Sequence, residues 1–386
     1  MAIKILIGAD IVPTNSNTKF FIEGNVEHLL GNELQSLFEE ADYTILNLET
    51  PLTDERNEIV KAGPCLIAPT KCINGLKKIN SHFYTLANNH ILDQGEQGLE
   101  STIRCFKENG IEYSGAGKNI DEAKRAFVKD INGIKIGIYC CAEHEFSIAG
   151  EKKYGANPYD CLYSFDHVSD LKKSADIVIV LFHGGKEHYR YPSPELQRIF
   201  RKFSEVGADF VVAQHTHCVG CIEDFNGSCL VYGQGNFLFD NSNSEYWKTS
   251  FLLEIVIDDN KSWEYNIIPC EKELETVRLA KEATRDDIIN SLEKRNQEIL
   301  KPGFIEKRYS EYADEMRKEY FIRLLGKIGR NPIVRILNKI TNYKLLDYFY
   351  SDTFLPVVEN CFGCEAHREL ATYVMKRYKR KAGNNE

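Results

Sequence analysis

The segment DIVIVLF, from Asp176 to Phe182, decides the fold class that we predict for this chain. Six consecutive apolar residues after the aspartate are typical of a strand that is buried on both faces of a parallel sheet. The segment SPELQRIFRKFSEVG follows, a helical pattern with Ser193 as the candidate N-cap, and then DFVVAQ, from Asp209 to Gln214, which is a second strand pattern. Strand, helix and strand in this order predict an α/β fold.

The same alternation extends outward to the N-terminus and to about residue 220. Further strands are predicted at Ile3–Asp10, Tyr43–Glu49, Phe83–Asn88 and Ile134–Ala142. After residue 220, three strand patterns follow with no helix between them, which predicts a meander that closes a second sheet. From residue 271 onward the chain is charged and has helical periodicity. We therefore expect a main domain at residues 1–270 and a helical extension at residues 271–386.

The composition of the 386 residues is that of an ordinary globular protein, with 43% hydrophobic and 27% charged residues. The net charge of −9 argues against a general nucleic-acid binder, which needs a basic surface. No apolar run approaches the roughly 20 residues of a membrane-spanning helix, and no signal-peptide pattern is visible. Scattered cysteines, 12 in all, favour reduced thiols in such a chain. A cytoplasmic location is the resulting expectation.

Polar residues follow most of the predicted strands, at the point where each strand ends. They are Asp10, Asn47, Glu49, Asn89, His90, His183, His215 and His217. In open α/β sheets, sites gather at the carboxyl ends of strands, so these side chains are expected to converge. Carboxylate, amide oxygen and imidazole are ligands of divalent transition metals. The alternative for each residue alone is a cap or turn former, or a satisfied core histidine. Their co-occurrence favours a metal site.

Six segments in a fixed order resemble the CapA family of poly-γ-glutamate and capsule biosynthesis proteins. They are GAD, NLETPLT, ANNHILDQG, HGGKEHYRYPSPELQ, QHTHCVG and YGQGNFLFD, and the resemblance covers about Ile3 to Pro269. The family is part of the calcineurin-like metallophosphoesterase superfamily. The resemblance implies a two-sheet metallophosphoesterase-like sandwich flanked by helices, with a dinuclear metal site at the strand ends.

The resemblance also implies a role for each residue of this set. Asp10 and His217 resemble ligands of a first metal, and Asn89, His183 and His215 resemble ligands of a second. Glu49 stands where the superfamily usually has a bridging aspartate. His90 resembles the histidine that acts on the leaving group. Asp93 is expected either to hold His90 in one tautomer or to complement the dipole of the helix that follows.

Several departures from the superfamily pattern bear on the metals. The usual first motif is Asp-x-His, but position 12 is Val12. Ala9 and Gln214 each replace a usual glycine, and Glu49 is longer than aspartate. We therefore expect two divalent ions (Zn, Mn or Fe), with the first bound more weakly because it has fewer protein ligands.

The loop after His183 adds candidate substrate-binding residues. Lys186 or Arg190 is expected to hold a substrate carboxylate or phosphate, the alternative being a solvated loop. The segment GQGNF, from Gly233 to Phe237, is interpreted as a glycine-rich turn near the site and not as a phosphate-binding loop.

These observations favour a metal-dependent hydrolase of the CapA type, acting on a phosphoester or related bond of a small-molecule or polymer substrate. The alternative is a non-catalytic polymer-binding or assembly component whose metal site is structural or vestigial. The apolar cluster LLDYFYSDTFLPVV, in the helical extension, predicts packing on the sandwich or self-association.

Overall fold

The computed structural model describes residues 2–240 and 244–383. The β-strands within these residues are β1 (Ile3–Ile11), β2 (Tyr43–Leu48), β3 (Phe83–Thr85), β4 (Glu112–Ser114), β5 (Ala116–Gly117), β6 (Phe127–Ile131), β7 (Ile134–Ala142), β8 (Gly155–Ala156), β9 (Ile177–His183), β10 (Phe210–Gln214), β11 (Ile222–Phe225), β12 (Ser228–Val231), β13 (Asn236–Leu238), β14 (Thr249–Ile257), β15 (Trp263–Glu273) and β16 (Thr276–Leu279).

The α-helices within the same residues are α1 (Thr18–Glu23), α2 (Val26–Leu30), α3 (Asn32–Glu40), α4 (Ile73–Lys78), α5 (Gly95–Asn109), α6 (Ile120–Ala123), α7 (Ser164–Lys172), α8 (Pro194–Glu205), α9 (Glu282–Ile299), α10 (Phe304–Leu324), α11 (Lys327–Arg330), α12 (Pro332–Ile340), α13 (Lys344–Phe349), α14 (Leu355–Gly363) and α15 (Glu365–Gly383). Short 3₁₀ turns lie at Thr70–Cys72 and Glu245–Trp247.

Two large mixed sheets face each other across a shared core. The first has the strand order β16-β15-β14-β1-β2-β3-β4, with β13 also paired to β1, and the second has the order β11-β12-β10-β9-β7-β6. Residues of both sheets, such as Ile7 and Ile45 of the first and Ile179 and Val212 of the second, belong to one buried cluster. The predicted two-sheet α/β sandwich flanked by helices is confirmed.

The strand β9 shows why the opening segment has no polar residue between Ile177 and Phe182. Its alternate residues Ile177, Ile179 and Leu181 pack into the core between the sheets. The intervening Val178, Val180 and Phe182 pack beneath the helices on the outer face. Because successive side chains of a strand point to opposite faces, the residues of β9 enter two different apolar layers in turn. Full burial of each such side chain contributes roughly 1.5–3 kcal/mol relative to exposure.

The helix α8 begins where the sequence predicted. The Ser193 side chain accepts a hydrogen bond from the Leu196 amide at 3.1 Å, and Pro194 occupies the first turn. Leu196, Phe200 and Phe203 lie on one face and are buried against the second sheet. The helix thus connects β9 to β10, which pair in parallel.

The strands after residue 220 do not form one meander, contrary to the prediction. β12 pairs in parallel with β10 and so extends the second sheet, whereas β13 pairs with β1 and β14 runs antiparallel to β1 in the first sheet. The chain crosses from one sheet to the other between Val231 and Asn236. This crossing brings the segment GQGNF to the strand ends where the candidate ligands lie.

The chain forms two compact units, Met1–Glu306 and Lys307–Glu386. β15 continues past residue 270, and Ile288 and Leu292 of α9 belong to the core between the sheets. The predicted C-terminal helices are confirmed, from α9 to α15, although α9 belongs to the first of the two units. The predicted division at residue 270 stays a prediction. No helix in the described residues is long and apolar enough to span a membrane.

Candidate metal centre

The carboxyl ends of four strands, two from each sheet, meet at one edge of the sandwich. Asn47 at the end of β2 places its Nδ2 3.3 Å from Nδ1 of His183 at the end of β9. The His215 amide, just after β10, donates to Asp10 Oδ2 at 3.2 Å. The candidate ligands brought together here are all buried: Asp10, Glu49, Asn89, His183, His215 and His217.

Two carboxylates lie at the middle of this group without exposure to solvent. Asp10 Oδ1 accepts a hydrogen bond from Asn47 Nδ2 at 2.7 Å. Burial, and then the nearby carboxylate of Glu49, raise the pKa of Asp10 to about 7. Burial also raises the pKa of Glu49 to about 7. Among the described residues, the ion-pair partners of these two carboxylates are histidines only. Two buried carboxylates in this setting favour a bound cation.

An amide and an imidazole lie on one side of Glu49. His183 Nε2 is 3.0 Å from Asn89 Oδ1 and 3.2 Å from Glu49 Oε1. The Asn89 amide donates from Nδ2 to Glu145 Oε2 at 2.9 Å, which turns its Oδ1 toward His183. Asn88 donates to Asn47 Oδ1 and to the Leu48 carbonyl, at 3.1 and 2.8 Å. Of the two asparagines, Asn89 therefore presents an oxygen to the centre and Asn88 positions the loop.

His215 and His217 are held in left-handed backbone conformations, with φ of 86° and 54°. Residues other than glycine rarely adopt this region, and such strain is concentrated at functional sites. Burial, followed by the neighbouring His183, lowers the pKa of His215 far below its usual range. Burial likewise lowers the pKa of His217 to about 3. Both imidazoles are thus neutral at physiological pH, which is the form that binds a metal.

The arrangement fits a divalent metal ion. Donor atoms of Glu49, His215 and His217 lie within 4.8 Å of one another. Among the described residues, neither oxygen of Glu49 nor Nδ1 of His215 makes a hydrogen bond of good geometry. Buried polar atoms without partners cost about 1–3 kcal/mol each. A metal that accepted these lone pairs would remove that cost and balance the carboxylate charge.

His90, the residue after Asn89, lies in a second polar cluster. His90 Nδ1 is 2.5 Å from Asp93 Oδ2, and Lys61 Nζ is 2.5 Å from Asp93 Oδ1 and 3.1 Å from His90 Nδ1. The Leu66 amide also donates to Asp93 Oδ2 at 2.6 Å. Of the two expectations for Asp93, the contact with His90 is present, and it leaves Nε2 as the nitrogen available to a substrate.

The two predicted substrate-binding residues differ in their contacts. Lys186 is half-buried, and its charge contributes to the lowered pKa of His215. Arg190 instead donates from Nη1 to the Val219 carbonyl at 2.9 Å, and its guanidinium lies 4.8 Å from the ring centre of Tyr246. Only Lys186 therefore has a described electrostatic interaction with the candidate ligands.

Apolar side chains cover the other side of the centre. Val12, Phe239 and Trp247 form a small buried cluster, which we call the apolar wall. Trp247 stacks on His217 with ring centres 4.8 Å apart, and Phe239 meets the same imidazole edge-on at 5.7 Å. Position 12, where the resemblance implied that a histidine ligand is usual, thus belongs to a packed apolar layer.

Sequence reasoning missed three residues that orient this group. Asn236 Oδ1 lies 2.8 Å from His217 Nδ1, which leaves His217 Nε2 free as a donor atom. Lys61 contacts His90 and Asp93, and Glu145 accepts a hydrogen bond from the Asn89 amide. The segment GQGNF carried a signal for Asn236, because a polar residue follows two glycines there. Lys61 and Glu145 lie on loops whose sequence carries no such signal.

A model of the family described as "Bacterial capsule synthesis protein PGA_cap" matches residues 10–241. This match covers well over half of the chain and includes every candidate ligand. The chain belongs to this family of bacterial capsule synthesis proteins. The predicted resemblance to the CapA family is thereby confirmed.

Relatives of this PGA_cap chain include two proteins from Bacillus. The PGA biosynthesis protein CapA of Bacillus subtilis (strain 168) is 28% identical over 242 residues, which cover 62% of this chain and 63% of that protein. The capsule biosynthesis protein CapA of Bacillus anthracis is 29% identical over 238 residues, 59% of this chain and 58% of that protein. The chain therefore spans less than two thirds of the length of these relatives.

Among solved structures, a putative 5'-nucleotidase from Staphylococcus aureus, in complex with alpha-ketoglutarate, is similar at 14% identity with a TM-score of 0.42. The similarity covers 76% of this chain and 58% of that one. So distant a likeness carries no argument about function.

Proposed function

We propose that this PGA_cap chain is a metal-dependent hydrolase of a phosphoester or related bond, working in the synthesis of a capsule or another extracellular polymer. The observation that carries the proposal is the pair of buried carboxylates, Asp10 and Glu49, beside neutral imidazoles whose donor atoms face them. The polymer part of the proposal rests on family membership and on the printed names of the relatives.

Two ions are proposed, and Glu49 would help to hold both of them. Asn89, His183 and His215 would hold one ion together with Glu49, and Asp10 and His217 would hold the other. When bound, divalent ions polarise a phosphoryl or carbonyl oxygen and promote loss of a proton from water. The protein's own contribution is to keep the imidazoles neutral by burial and to fix the ring of His217 through Asn236.

His90 is the proposed general acid for the leaving group. Its Nδ1 is engaged by Asp93, so Nε2 is the atom that can hold and release a proton. Lys61 neutralises Asp93 and, with the Leu66 amide, fixes the carboxylate in place. The ring is thereby oriented before substrate arrives, which is the condition for efficient proton transfer. Lys186 is proposed to contact an anionic group of the substrate.

A second candidate function is binding of the polymer without catalysis. The apolar wall favours it, because Val12 lies where a ligand histidine would complete the site of the superfamily. In this case the ions would serve structure or polymer binding. Self-association through the helical unit, whose α12 exposes Ile333, Ile336 and Ile340, and a cytoplasmic location both stay predictions.

Turnover by the purified full chain decides between the two candidates. The chain is loaded with Mn²⁺ or Zn²⁺ and given p-nitrophenyl phosphate, bis(p-nitrophenyl) phosphate and γ-glutamyl p-nitroanilide. We expect hydrolysis of at least one, and its loss in Glu49→Gln. A metal-loaded protein that hydrolyses none of them, yet binds poly-γ-glutamate in a metal-dependent way, would support the second candidate instead.

A further inference from the structure

A cavity of about 150 Å³ lies beside α9. Its lining includes two arginines and shares no residue with the metal ligands: Arg190, Val219, Thr249, Asp287, Ile288, Ser291 and Arg295. One water molecule needs roughly 10–15 Å³ of such space, so the cavity has room for several waters or for a small ion.

Arg295 is a buried cation with unused hydrogen-bonding capacity. The residue is only 7% exposed, and its Nε donates to the Gly220 carbonyl at 2.7 Å. Within the described part of the chain, its buried Nη2 has no hydrogen-bond partner, and the groups that act most strongly on its charge include no carboxylate. A buried charge without a counter-charge is costly, and a guanidinium nitrogen has a strong preference for an oxyanion. The residue therefore lacks a partner that the cavity has space to hold.

Arg190 adds a second positive charge to the same cavity. Its Nη1 is engaged by the Val219 carbonyl, and its ion pair with Glu245 is long, at 3.7 Å, with the Glu245 side chain 76% exposed. Burial, and then repulsion from Arg190, lower the pKa of Arg295, so the two charges are close enough to interact. An anion between them would relieve this repulsion. Asp287 is the one carboxylate in the lining, and it is exposed to solvent.

We propose that this cavity is a binding site for a small oxyanion, a phosphate or a carboxylate, held by Arg295 and Arg190. Guanidinium groups match both anions through paired N–H donors. Thr249 and Ser291 add hydroxyl groups to the wall. The lining contains none of the candidate metal ligands, so we assign Arg190 to this cavity and not to the substrate of the hydrolase.

The test is calorimetric titration of the full chain with inorganic phosphate and, separately, with glutarate. Each titration is run with metal ions present and again after treatment with a chelator, which abolishes anion binding at the metal centre and not in the cavity. We expect one equivalent of anion to bind the chelator-treated protein, and the tighter of the two probes identifies the class. Absence of binding at millimolar concentrations of both probes would overturn the proposal.

Variants then locate the site. Arg295→Met should weaken binding by about tenfold or more, because a charge-assisted hydrogen bond is lost, and Arg190→Gln should weaken it less. Arg198→Gln removes an arginine that is 77% exposed on α8 and should change nothing. An unchanged affinity in Arg295→Met would overturn the proposal.

Arg295→Met has a risk of misfolding, because Nε of Arg295 binds the Gly220 carbonyl. Asp287→Asn avoids this difficulty, since it removes an exposed negative charge from the cavity and leaves the packing intact. We expect it to tighten anion binding several-fold. A weaker or equal affinity in Asp287→Asn would count against the site.

Discussion

The two sides of the metal centre are surrounded by different kinds of side chain, polar on one side and apolar on the other. On the His183 side, Asn89 and Glu49 place oxygen atoms within 3.2 Å of the imidazole, and Glu145 orients the amide. On the His217 side, the imidazole lies under Trp247 and Phe239, with Val12 in the same apolar wall. One loop supplies both His215 and His217, so the difference comes from what the rest of the chain packs around them. We infer that the two sides hold metal with unequal affinity.

The largest effect is expected from Glu49→Gln, because Glu49 is the carboxylate that both sides share. Metal affinity should fall by more than the roughly 10–100-fold that is typical for loss of a residue that only supports a ligand. Activity should be abolished. Metal content after gel filtration measures the change, and Glu187→Gln is the control, since this carboxylate is 46% exposed and 4.0 Å from His215. Equal metal loss in both variants would contradict the assignment of Glu49.

His90→Ala tests whether the His183 side also carries the chemistry of the leaving group. Activity should fall by about 10²–10⁴-fold, the usual contribution of a general acid, while metal content stays near that of the wild type. His183→Ala, measured in parallel, should lose metal. If His90→Ala loses as much metal as His183→Ala, His90 is a ligand and not an acid. If turnover is unchanged, its proposed role is wrong.

Metal stoichiometry tests the inequality of the two sides directly. After dialysis against a mild chelator, the wild type should retain about one equivalent of metal, because lost ligands cost affinity. His217→Ala should retain the same equivalent, whereas His183→Ala should retain none. Two equally tight sites in a titration of metal-free protein, or identical losses in the two variants, would remove the distinction between the sides.

The pH dependence of stability tests the carboxylates that separate the sides. The pKa values of Asp10 and Glu49 rise from 3.8 and 4.5 to about 7 on folding. The folded chain therefore keeps protons that the unfolded chain loses, and the free energy of unfolding falls as pH rises from about 4 to 7. The effect is on the order of a few kcal/mol in metal-free protein.

The melting temperature of chelator-treated wild type and Glu49→Gln, measured from pH 5 to pH 8, checks this expectation. Buried neutral histidines have the opposite pH dependence below about pH 6.5, so the difference between the two proteins is the diagnostic quantity. The wild type should lose stability relative to Glu49→Gln as pH rises, and added metal should remove that loss. A difference that is independent of pH would show that Glu49 is already ionised in the metal-free fold.

The smallest effect is expected from Val12→His, which places the missing imidazole in the apolar wall. The weaker site should tighten several-fold as a ligand is added, at a cost in stability because a polar ring enters a packed apolar cluster. Val12→Leu is the matched control, since it tests the packing change alone. Equal metal affinity in the two variants would mean that position 12 does not face the ion.

The alternation of strand and helix was readable from the sequence because each element carries its own local pattern. β1 and β2 begin where predicted, and Ser193 caps α8 as expected. The pairing of strands after residue 220 could not be predicted, because apolar strands such as Ser228–Val231 and Thr249–Ile257 carry no mark of the sheet that they join. The sheet that such a strand joins depends on which strand edge is free in the folded chain. For this reason the prediction of a single meander after residue 220 was wrong.

The same distinction holds within the centre. Local sequence determined which residue types stand at the strand ends, since Asp10, Asn89, His183 and His215 each follow an apolar strand. Only the tertiary structure decided that Lys61 engages His90, that Asn236 orients His217 and that Val12 packs with Trp247. These three contacts join residues from 19 to more than 200 positions apart in the chain. Secondary structure is a property of neighbouring residues, whereas hydrogen bonding and burial at a site depend on which distant segments fold against it.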